Sequence, residues 1–385
     1  MPTHVASSSL NLAVPPASPD GLAAFAAELD QIRADTMAKV GSDDARYIIR
    51  LLWVIRGLES LGRLLLIGAP WLPTWWLGAA VLCLAKCLEN MEFGHNVMHG
   101  QYDWMNDPRV NGKLLEWDMA CTGDDWRSTH NHEHHIYTNV LGKDRDFGYG
   151  MLRLTADVPW EPRFLAQVPY ALLLALLFEW GIGTYGLELE RLFTDRQAAW
   201  ARIKTLWPVV RAKMWRQIKK DYVLWPVLGG LVSWSLGAGW LSGWSAVLLG
   251  NVLANLVRNL WLFAGIFCSH FAHGVCTFDA SQIAHESRGQ WYWRQIRGSA
   301  NIEGGKLLRI LTGHLTNQIE HHLFPDMPAR RCAQIAPQVR EVCLRHGVPY
   351  NMGTMWGLLT SVAVRIVRHS WPGGERTLTS LRRPG

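Results

Sequence analysis

The sequence predicts an all-α membrane protein in which two transmembrane helical hairpins, about four spans in all, support a cytosolic helical cap with a His-rich metal site. Hydrophobic residues make up 49% of the 385-residue chain, and they are concentrated in a few long runs between polar loops. Several runs approach the roughly 20 residues that cross a hydrocarbon core of ~30 Å. Many of the 21 Trp residues lie near the ends of these runs, where indole rings favour the membrane interface.

The order of polar and apolar regions divides the chain into three parts. An Ala-, Ser- and Pro-rich segment with one short amphipathic stretch, Leu22 to Val40, precedes the first apolar run, and we expect a loosely held arm there. The last part has one apolar piece, Trp356 to Val367, which is too short to cross a membrane. The predicted parts are an N-terminal cytosolic arm (1–46), a membrane domain (47–325) and a C-terminal cytosolic tail (326–385).

The first predicted hairpin consists of two apolar runs. Tyr47 to Ile67 carries several charged residues, so it is either a marginal span or an interfacial helix, whereas Trp71 to Leu88 is a cleaner span. Pro70 and Pro73 mark the turn between them.

The second predicted hairpin joins Tyr222 to Leu236 with Trp244 to Phe267 through a Gly-rich turn. One more apolar run, Phe164 to Ile182, lies between two His-rich regions. If it crossed as well, the His groups before and after the second hairpin would end on opposite faces of the membrane. We therefore expect this run to lie in the membrane interface, which keeps the basic stretch Arg191 to Lys220 on the cytosolic side.

The bulk charge is compatible with a membrane surface. The net charge of +6 and the pI near 9.0 come from basic residues beside apolar runs, and no nucleic-acid motif accompanies them. We expect attraction to anionic headgroups and no nucleic-acid partner. The seven Cys residues contain no Cys-x-x-Cys pair, which argues against a disulfide framework or a structural zinc site.

The densest chemical signal is Thr129 to Asn139, where four imidazoles fall within six residues. On an α-helix His130 and His134 share a face, His135 lies one step round, and His132 points about half a turn away. Buried imidazoles in such number need a shared acceptor of lone pairs, which a metal ion provides. The alternative is a solvated polar His cluster.

Two more His groups and one single His lie beside the ends of apolar runs. His95 and His99 have the i, i+4 spacing of one helical face, and His270 follows the second hairpin. In the third group four side chains project within an arc of roughly 100° on a helix: His314, Gln318, His321 and His322. Imidazoles without Cys suit iron, zinc or copper, and eight or more ligands exceed what one ion takes, so two metals are implied. Four carboxylates are candidates to orient the imidazoles by accepting their second N–H: Asp124, Asp144, Asp146 and Glu320.

The order of these groups, H-x-x-x-H, H-x-x-x-H-H and Q-x-x-H-H, resembles the membrane fatty acid desaturase family. The resemblance covers roughly Tyr47 to Pro325, and the stretch His99 to Asp107 is most similar to actinobacterial acyl-CoA desaturases. It implies a non-haem di-iron centre on the cytosolic side of a helical membrane domain, in the inner membrane if the source is bacterial. The ligands that the resemblance implies are His95, His99, His130, His134, His135, His270, His321 and His322. Gln318 stands where relatives have a His, and His314 is an alternative ligand.

The resemblance also implies an activity. A fatty acyl desaturase would use O₂ to remove hydrogen from two neighbouring methylenes of an acyl-CoA or acyl-lipid chain. Family members with a fused cytochrome b5 domain carry a His-Pro-Gly-Gly motif, which Ser370 to Gly374 matches only in part. We therefore expect electrons from a separate ferredoxin or flavoprotein reductase. A fatty acyl or lipid hydroxylase or ketolase on the same scaffold, and a non-enzymatic membrane metal-binding protein, are the alternatives.

Overall fold

The computed structural model describes residues 18–68 and 72–374. The first part of the N-terminal arm, the end of the C-terminal tail and the turn predicted at Pro70 lie outside the described residues. The α-helices of the first half are α1 (Pro19–Met37), α2 (Ser42–Ile67), α3 (Leu72–Cys87), α4 (Asn96–Met98), α5 (Gly123–Trp126), α6 (His135–Tyr137), α7 (Gln167–Leu176) and α8 (Phe178–Tyr185). The α-helices of the second half are α9 (Arg196–Ile218), α10 (Trp225–Ser235), α11 (Trp240–His270), α12 (Arg288–Arg297), α13 (Lys306–Leu311), α14 (Gln318–Leu323), α15 (Ala329–Arg345) and α16 (Met355–His369).

Other elements connect these helices. Three π-helical segments are Leu88–His95, Arg127–His134 and Lys219–Leu224. Short 3₁₀ helices are Asp103–Met105, Pro108–Val110, Phe147–Gly150, Pro162–Ala166, Leu189–Phe193, Ala280–Gln282 and Leu315–Asn317. The strands β1 (Asn301–Glu303) and β2 (Met352–Thr354) pair in parallel.

Glycines let the helices of each hairpin approach closely. A Cβ added at Gly62 of α2 would lie 2.8 Å from the backbone N of Leu82 in α3. A Cβ at Gly243 of α11 would lie 2.2 Å from the carbonyl oxygen of Gly229 in α10. Small residues at such positions are typical of helices that associate in membranes, because close backbone contact replaces the hydrophobic driving force. The pairing of the runs into two hairpins is thus present in the structure.

Fewer helices than predicted are long and apolar enough to cross a membrane. Among the described residues, Leu72–Met98 (27 residues) and Trp240–His270 (31 residues) qualify, and a third would be added if the bent pair α7 and α8 counted as one span. α10 has only 11 residues, and the π-helical segment before it contains Lys219, Lys220 and Asp221. The coarse prediction of a helical protein with membrane-spanning helices is confirmed, whereas the count of four spans stays a prediction.

The run predicted to lie in the interface is not straight. Pro162–Leu176 and Phe178–Tyr185 meet at an angle of 99°. α7 and α8 each contact α11, and the amide of Asn259 in α11 donates to the Leu176 carbonyl at the bend (2.8 Å).

Two ionic groups are buried among the hairpin helices. Asp221 accepts hydrogen bonds from Arg63 of α2 (3.1 Å) and Lys86 of α3 (2.7 Å). In the second group Arg258 of α11 pairs with Glu179 of α8. The side chains of Asp221, Arg63, Lys86, Arg258 and Glu179 are all at most 5% exposed. Charges in such surroundings are stabilised only by their partners, so these pairs fix the relative positions of the helices.

The N-terminal helix is held more firmly than the sequence indicated. α1 packs on α12 and α15, with Phe25 and Leu29 fully buried in a core that includes Tyr292 and Trp293. The carboxylate of Asp30 accepts hydrogen bonds from the guanidinium of Arg288 (2.6 Å). The expectation of a loosely held arm is therefore wrong for this helix, because its apolar face finds a partner more than 250 residues further along the chain.

Candidate metal centre

Two π-helical segments carry the first two His groups. Leu88–His95 follows α3 without a break, and Arg127–His134 follows α5 in the same way. π-Helical turns, with i→i+5 hydrogen bonds, are rare and occur often at functional sites. An α-helix was expected here, but the expected directions of the side chains are found: the rings of His130 and His134 stack with centroids 5.1 Å apart, and His132 is exposed.

Seven of the predicted imidazoles form two clusters whose potential donor atoms lie within 4.8 Å of one another. Cluster A consists of His95, His99, His130 and His321. Cluster B consists of His134, His270 and His322. Each cluster combines residues from at least three separate segments of the chain, so the fold creates a site that no single motif contains.

His135 lies between cluster A and cluster B. Its ring centroid is 4.6 Å from that of His99 and 4.3 Å from that of His322, on which it stacks. Both ring nitrogens of His135 and of His321 are buried without a hydrogen-bond partner, as is Nε2 of His130 and of His322. Each such group costs about 1–3 kcal/mol. Metal ions would accept these lone pairs, so the residues present fit a metal centre.

Burial keeps these imidazoles in the form that binds metal. Burial, with positive charge on neighbouring imidazoles as the smaller cause, lowers the pKa well below the ordinary value for His99, His130, His135, His321 and His322. A metal ligand must be a neutral imidazole, so no proton has to be displaced at neutral pH.

Two of the four predicted carboxylates contact an imidazole. Nδ1 of His134 lies 3.0 Å from Oδ2 of Asp144, and Nδ1 of His130 lies 3.3 Å from Oδ2 of Asp146. A carboxylate that accepts this N–H fixes the tautomer and leaves Nε2 free for a metal. Asp144 is itself held by the backbone N–H of Asn139 at 2.7 Å.

The other two predicted carboxylates do not reach an imidazole, so the prediction is wrong for them. The side chain of Asp124 is 92% exposed and pairs with Arg127. Glu320 is buried, but it accepts hydrogen bonds from Asn301 (2.9 Å) and Tyr350 (2.7 Å). Nearness in sequence to a His box was therefore not sufficient to predict the direction of a side chain.

Two amides that were not predicted as site residues lie against imidazoles and orient them. The Asn96 amide oxygen lies 3.1 Å from Nδ1 of His95, and the Gln295 amide oxygen lies 3.1 Å from Nδ1 of His322. Asn96 could have been proposed as the direct neighbour of a ligand. Gln295 lies on α12, outside every motif, and no local signal points to it.

Asp144→Asn is expected to weaken metal binding by roughly 10–100-fold, because the amide cannot hold His134 and the Asn139 N–H as the carboxylate does. Asp124→Asn is the matched control and is expected to retain wild-type metal content, since its side chain faces solvent. Metal content of the purified protein, measured against chelator concentration, checks both. Equal losses in the two variants would contradict the assignment.

The third His group is divided by a break in the helix. His314 has a left-handed backbone (φ 59°) before the 3₁₀ turn Leu315–Asn317, and α14 begins only at Gln318. The prediction that His314 shares one helical face with Gln318 is therefore wrong. Nδ1 of His314 lies 2.9 Å from Oε2 of Glu92, away from both clusters. The Gln318 amide nitrogen instead lies 2.8 Å from Nε2 of His270, and the amide oxygen is buried without a partner.

Gln318→Ala is expected to lower metal content because it removes the amide that faces cluster B, whereas His314→Ala is expected to leave metal content unchanged. Elemental analysis of both purified variants is the measurement. Metal loss in His314→Ala alone would show that His314 is the ligand and that Gln318 is not.

An apolar cavity borders these clusters. One part of its wall is formed by His95, His130, His134, His270 and Gln318. The remaining wall is mainly apolar and aromatic, with Met91, Trp117, Met119, Trp126, Tyr149, Phe178, Ile182, Leu262, Ile266, Phe271 and Leu315. A long apolar ligand fits such a lining better than a polar one.

Comparison with known proteins gives this arrangement a family. A sequence model described as "Fatty acid desaturase" matches residues 69–354, which is well over half of the chain. The chain belongs to the fatty acid desaturase family. The desaturase is 48% identical over 333 residues, 86% of its own length and 75% of the relative's, to an NADPH-dependent stearoyl-CoA 9-desaturase of Mycobacterium tuberculosis.

More distant relatives belong to the same family. Human fatty acid desaturase 3 is 25% identical over 316 residues, which cover 78% of this desaturase and 63% of the relative. An sn-1 linoleoyl-lipid 6-desaturase of Synechocystis is 25% identical over 317 residues, 80% and 84% of the two chains. The protein is thus an enzyme of membranes that introduces a double bond into a fatty acyl chain, and the resemblance found in the sequence is confirmed.

Proposed function

We propose that this enzyme is an acyl-CoA desaturase that acts near position 9 of a long saturated chain and uses two iron ions. The observation that carries the proposal is the apolar cavity with imidazoles from both clusters in its wall. The carrier and the position follow the printed name of the Mycobacterium relative, whose identity of 48% extends over most of the chain.

The cavity determines which methylenes of the acyl chain lie beside the imidazoles. All inner methylenes of a saturated chain are chemically alike, so a protein selects one by holding the chain in a fixed register. The side chains of Trp126, Phe178 and Phe271 contribute apolar wall beside the imidazoles and exclude water from them. A chain that enters to a fixed depth presents the same pair of methylenes to His95, His130 and His270.

The metal ions would be held by cluster A and cluster B, with His135 between them and Gln318 as a further oxygen ligand. Iron bound there would supply the activation of O₂ and the removal of hydrogen. Asp144, Asp146, Asn96 and Gln295 orient the imidazoles through Nδ1.

The reaction needs electrons from outside the chain. Conversion of –CH₂–CH₂– to –CH=CH– releases two hydrogens, and reduction of O₂ to two waters takes up those two hydrogens with two further electrons and two protons. We infer that a separate electron-transfer protein supplies these electrons, as the partial match of Ser370 to Gly374 to the cytochrome b5 motif indicates. The words "NADPH-dependent" in the relative's name are consistent with a reductase.

The proposal is tested by supplying the purified enzyme in vesicles with stearoyl-CoA, O₂ and a ferredoxin or flavoprotein reductase. We expect oleoyl-CoA, identified by mass spectrometry after derivatisation of the double bond. A parallel assay offers the same chain esterified in a phospholipid. Hydroxylated or keto products, or desaturation of the phospholipid alone, would overturn the proposal in favour of an oxygenase or an acyl-lipid enzyme.

We also propose four spans with the metal centre on the cytosolic side. Both clusters draw on residues before α7 and after α11, so an even number of crossings must separate these regions. The 99° bend between α7 and α8 supports the omission of this pair from the spans. Its apolar residues then lie in the interface, and the basic helix α9 remains on the side where positive residues collect.

Cysteine labelling tests this topology. Lys204→Cys on the exposed face of α9 is expected to resist membrane-impermeant maleimide in intact cells and to react after lysis. Ala238→Cys in the turn between α10 and α11 is the matched control and is expected to react in intact cells. The unsubstituted enzyme gives the background of its own Cys residues. Labelling of Lys204→Cys from outside would contradict the four-span arrangement.

A further inference from the structure

The exposed face of the C-terminal helix α16 is largely apolar, with Thr360 and Arg368 as its exposed polar residues. Trp356 is 79% exposed, Val364 59%, Val367 51% and Trp371 62%. Trp356, Val364 and Val367 recur at helical spacing on one side of α16, and Trp371 lies two residues past its end. An exposed apolar stripe of this kind marks a surface that is covered in the working protein.

The opposite face of α16 is apolar as well. Leu358, Val362 and Ile366 are buried in a core that contains Phe267, near the end of α11, and Phe271, which directly follows α11. The inner face of α16 is thus packed against protein, whereas Trp356, Val364 and Val367 on its outer face are exposed.

Of the two arginines in α16, Arg368 is exposed and Arg365 is buried. The guanidinium of Arg365 is buried and donates to the carbonyl oxygens of Phe271 (3.2 Å) and Ala272 (3.1 Å). These carbonyls directly follow His270 of cluster B. α16 is therefore attached to the end of α11 that carries a proposed ligand.

The neighbouring helix α7 shows the same exposure. Its outward side chains include Leu172 (63% exposed) and Leu173 (52%). The two helices are joined where the Gln167 amide donates to the Ile366 carbonyl at 2.6 Å. Both α7 and α16 contact α11, one of the two helices long and apolar enough to cross a membrane.

We propose that α16, together with α7, lies in the interfacial layer of the bilayer and is covered by lipid. The inference revises the expected C-terminal cytosolic tail: the tail contains a membrane-seated helix on the cytosolic leaflet. It rests on the cytosolic topology proposed above. Two observations favour lipid over a protein partner: the surface is continuous with a helix that crosses the membrane, and Trp356 and Trp371 lie at its two ends, as in interfacial segments.

The proposal has a consequence for the metal centre. Because Arg365 holds the carbonyls that follow His270, the depth of α16 in the interface fixes the position of the end of α11. The membrane surface thereby becomes part of the support of cluster B.

Depth-dependent quenching tests the proposal on the full-length enzyme in phosphatidylcholine and phosphatidylglycerol vesicles. An environment-sensitive fluorophore on Val364→Cys is expected to be quenched on the order of twofold by lipids brominated near the headgroup, and less by lipids brominated near the chain end. The same label on Glu341→Cys, on the exposed side of α15 (side chain 69% exposed), is the control and is expected to respond only to aqueous iodide.

Three results would overturn the proposal. Iodide quenching of the Val364 label without bromine quenching would place α16 in water. Crosslinks between Val364→Cys residues of two copies would assign the stripe to a dimer. Protection of the Val364 label from iodide only after the reductase is added would show that the electron donor covers the stripe. None of these readouts depends on turnover, and a failure of the topology itself would appear separately as outside labelling of Lys204→Cys.

Discussion

His134→Ala is expected to abolish desaturation and to remove most of the bound iron, while His132→Ala retains both. His134 belongs to cluster B with His270 and His322, whereas His132 is exposed and its Nδ1 faces the Arg127 carbonyl at 3.2 Å. Both residues lie in the second His group. A loss in His134→Ala alone therefore shows that metal ligation is required there, and not merely any imidazole in this segment. Product analysis by mass spectrometry and elemental analysis of iron are the measurements.

The same result is expected for two other ligands. His130 and His321 belong to cluster A, so His130→Ala and His321→Ala should lose iron and activity. His273 is exposed and lies three positions after a proposed ligand, so His273→Ala should retain most of both. If His132→Ala were as damaging as His134→Ala, the sorting of side chains in the second box would be wrong. A normal melting temperature of the His134→Ala protein in detergent would exclude misfolding as the cause.

The largest loss of stability is expected for Arg258→Met. The substitution leaves Glu179 buried without its counter-ion, and breaking a buried pair in this way costs about 3–5 kcal/mol. It also removes the guanidinium that donates to the Asn90 amide oxygen at 2.9 Å, next to the cavity. We expect a marked decrease in the thermal unfolding temperature of the detergent-solubilised enzyme.

The double variant Arg258→Met with Glu179→Met is the control. It removes both charges, so it is expected to recover a large part of the lost stability, because two apolar side chains of similar size replace an ion pair at little cost. A double variant that is less stable than Arg258→Met alone would show that the carboxylate contributes independently of the arginine.

The grouping of the imidazoles was predictable because most of them lie in short local motifs. His130, His134 and His135 fall within six residues, and the exclusion of His132 needed only the direction of neighbouring side chains. An α-helix was predicted where the structure has a π-helical segment. The predicted directions are nevertheless found, since this segment also directs the rings of His130 and His134 to one side.

Residues that depend on contacts distant in sequence were not predictable in the same way. His314 was placed on the face of Gln318 because a continuous helix was assumed, and the left-handed backbone at His314 ends that relation. Gln295 reaches His322 from α12, and nothing in its own surroundings distinguishes it from other polar residues. For Asp124, only the structure shows that the nearest partner is Arg127.

The hairpins illustrate the same division. Hydropathy located the apolar runs, and the Gly-rich turn joined α10 to α11 correctly. The 99° bend between α7 and α8 was not visible in the sequence, although the parity of the His groups already required that this run be treated differently. The packing of α1 on α12 and α15 depends on a surface that forms only after folding, so the amphipathic stretch alone could not reveal it.

The buried carboxylate of Asp221 has a consequence for biogenesis. Its counter-ions Arg63 and Lys86 both belong to the first hairpin, whereas Asp221 introduces the second. Asp221 lies at the start of that hairpin, where a buried carboxylate that lacks its partners is unfavourable. During synthesis the first hairpin emerges earlier, so its cations are already in the membrane when the second hairpin leaves the translocation channel. The order of the chain therefore places both cations in the membrane before their carboxylate. A permuted protein that begins at the second hairpin would insert Asp221 before Arg63 and Lys86 are present.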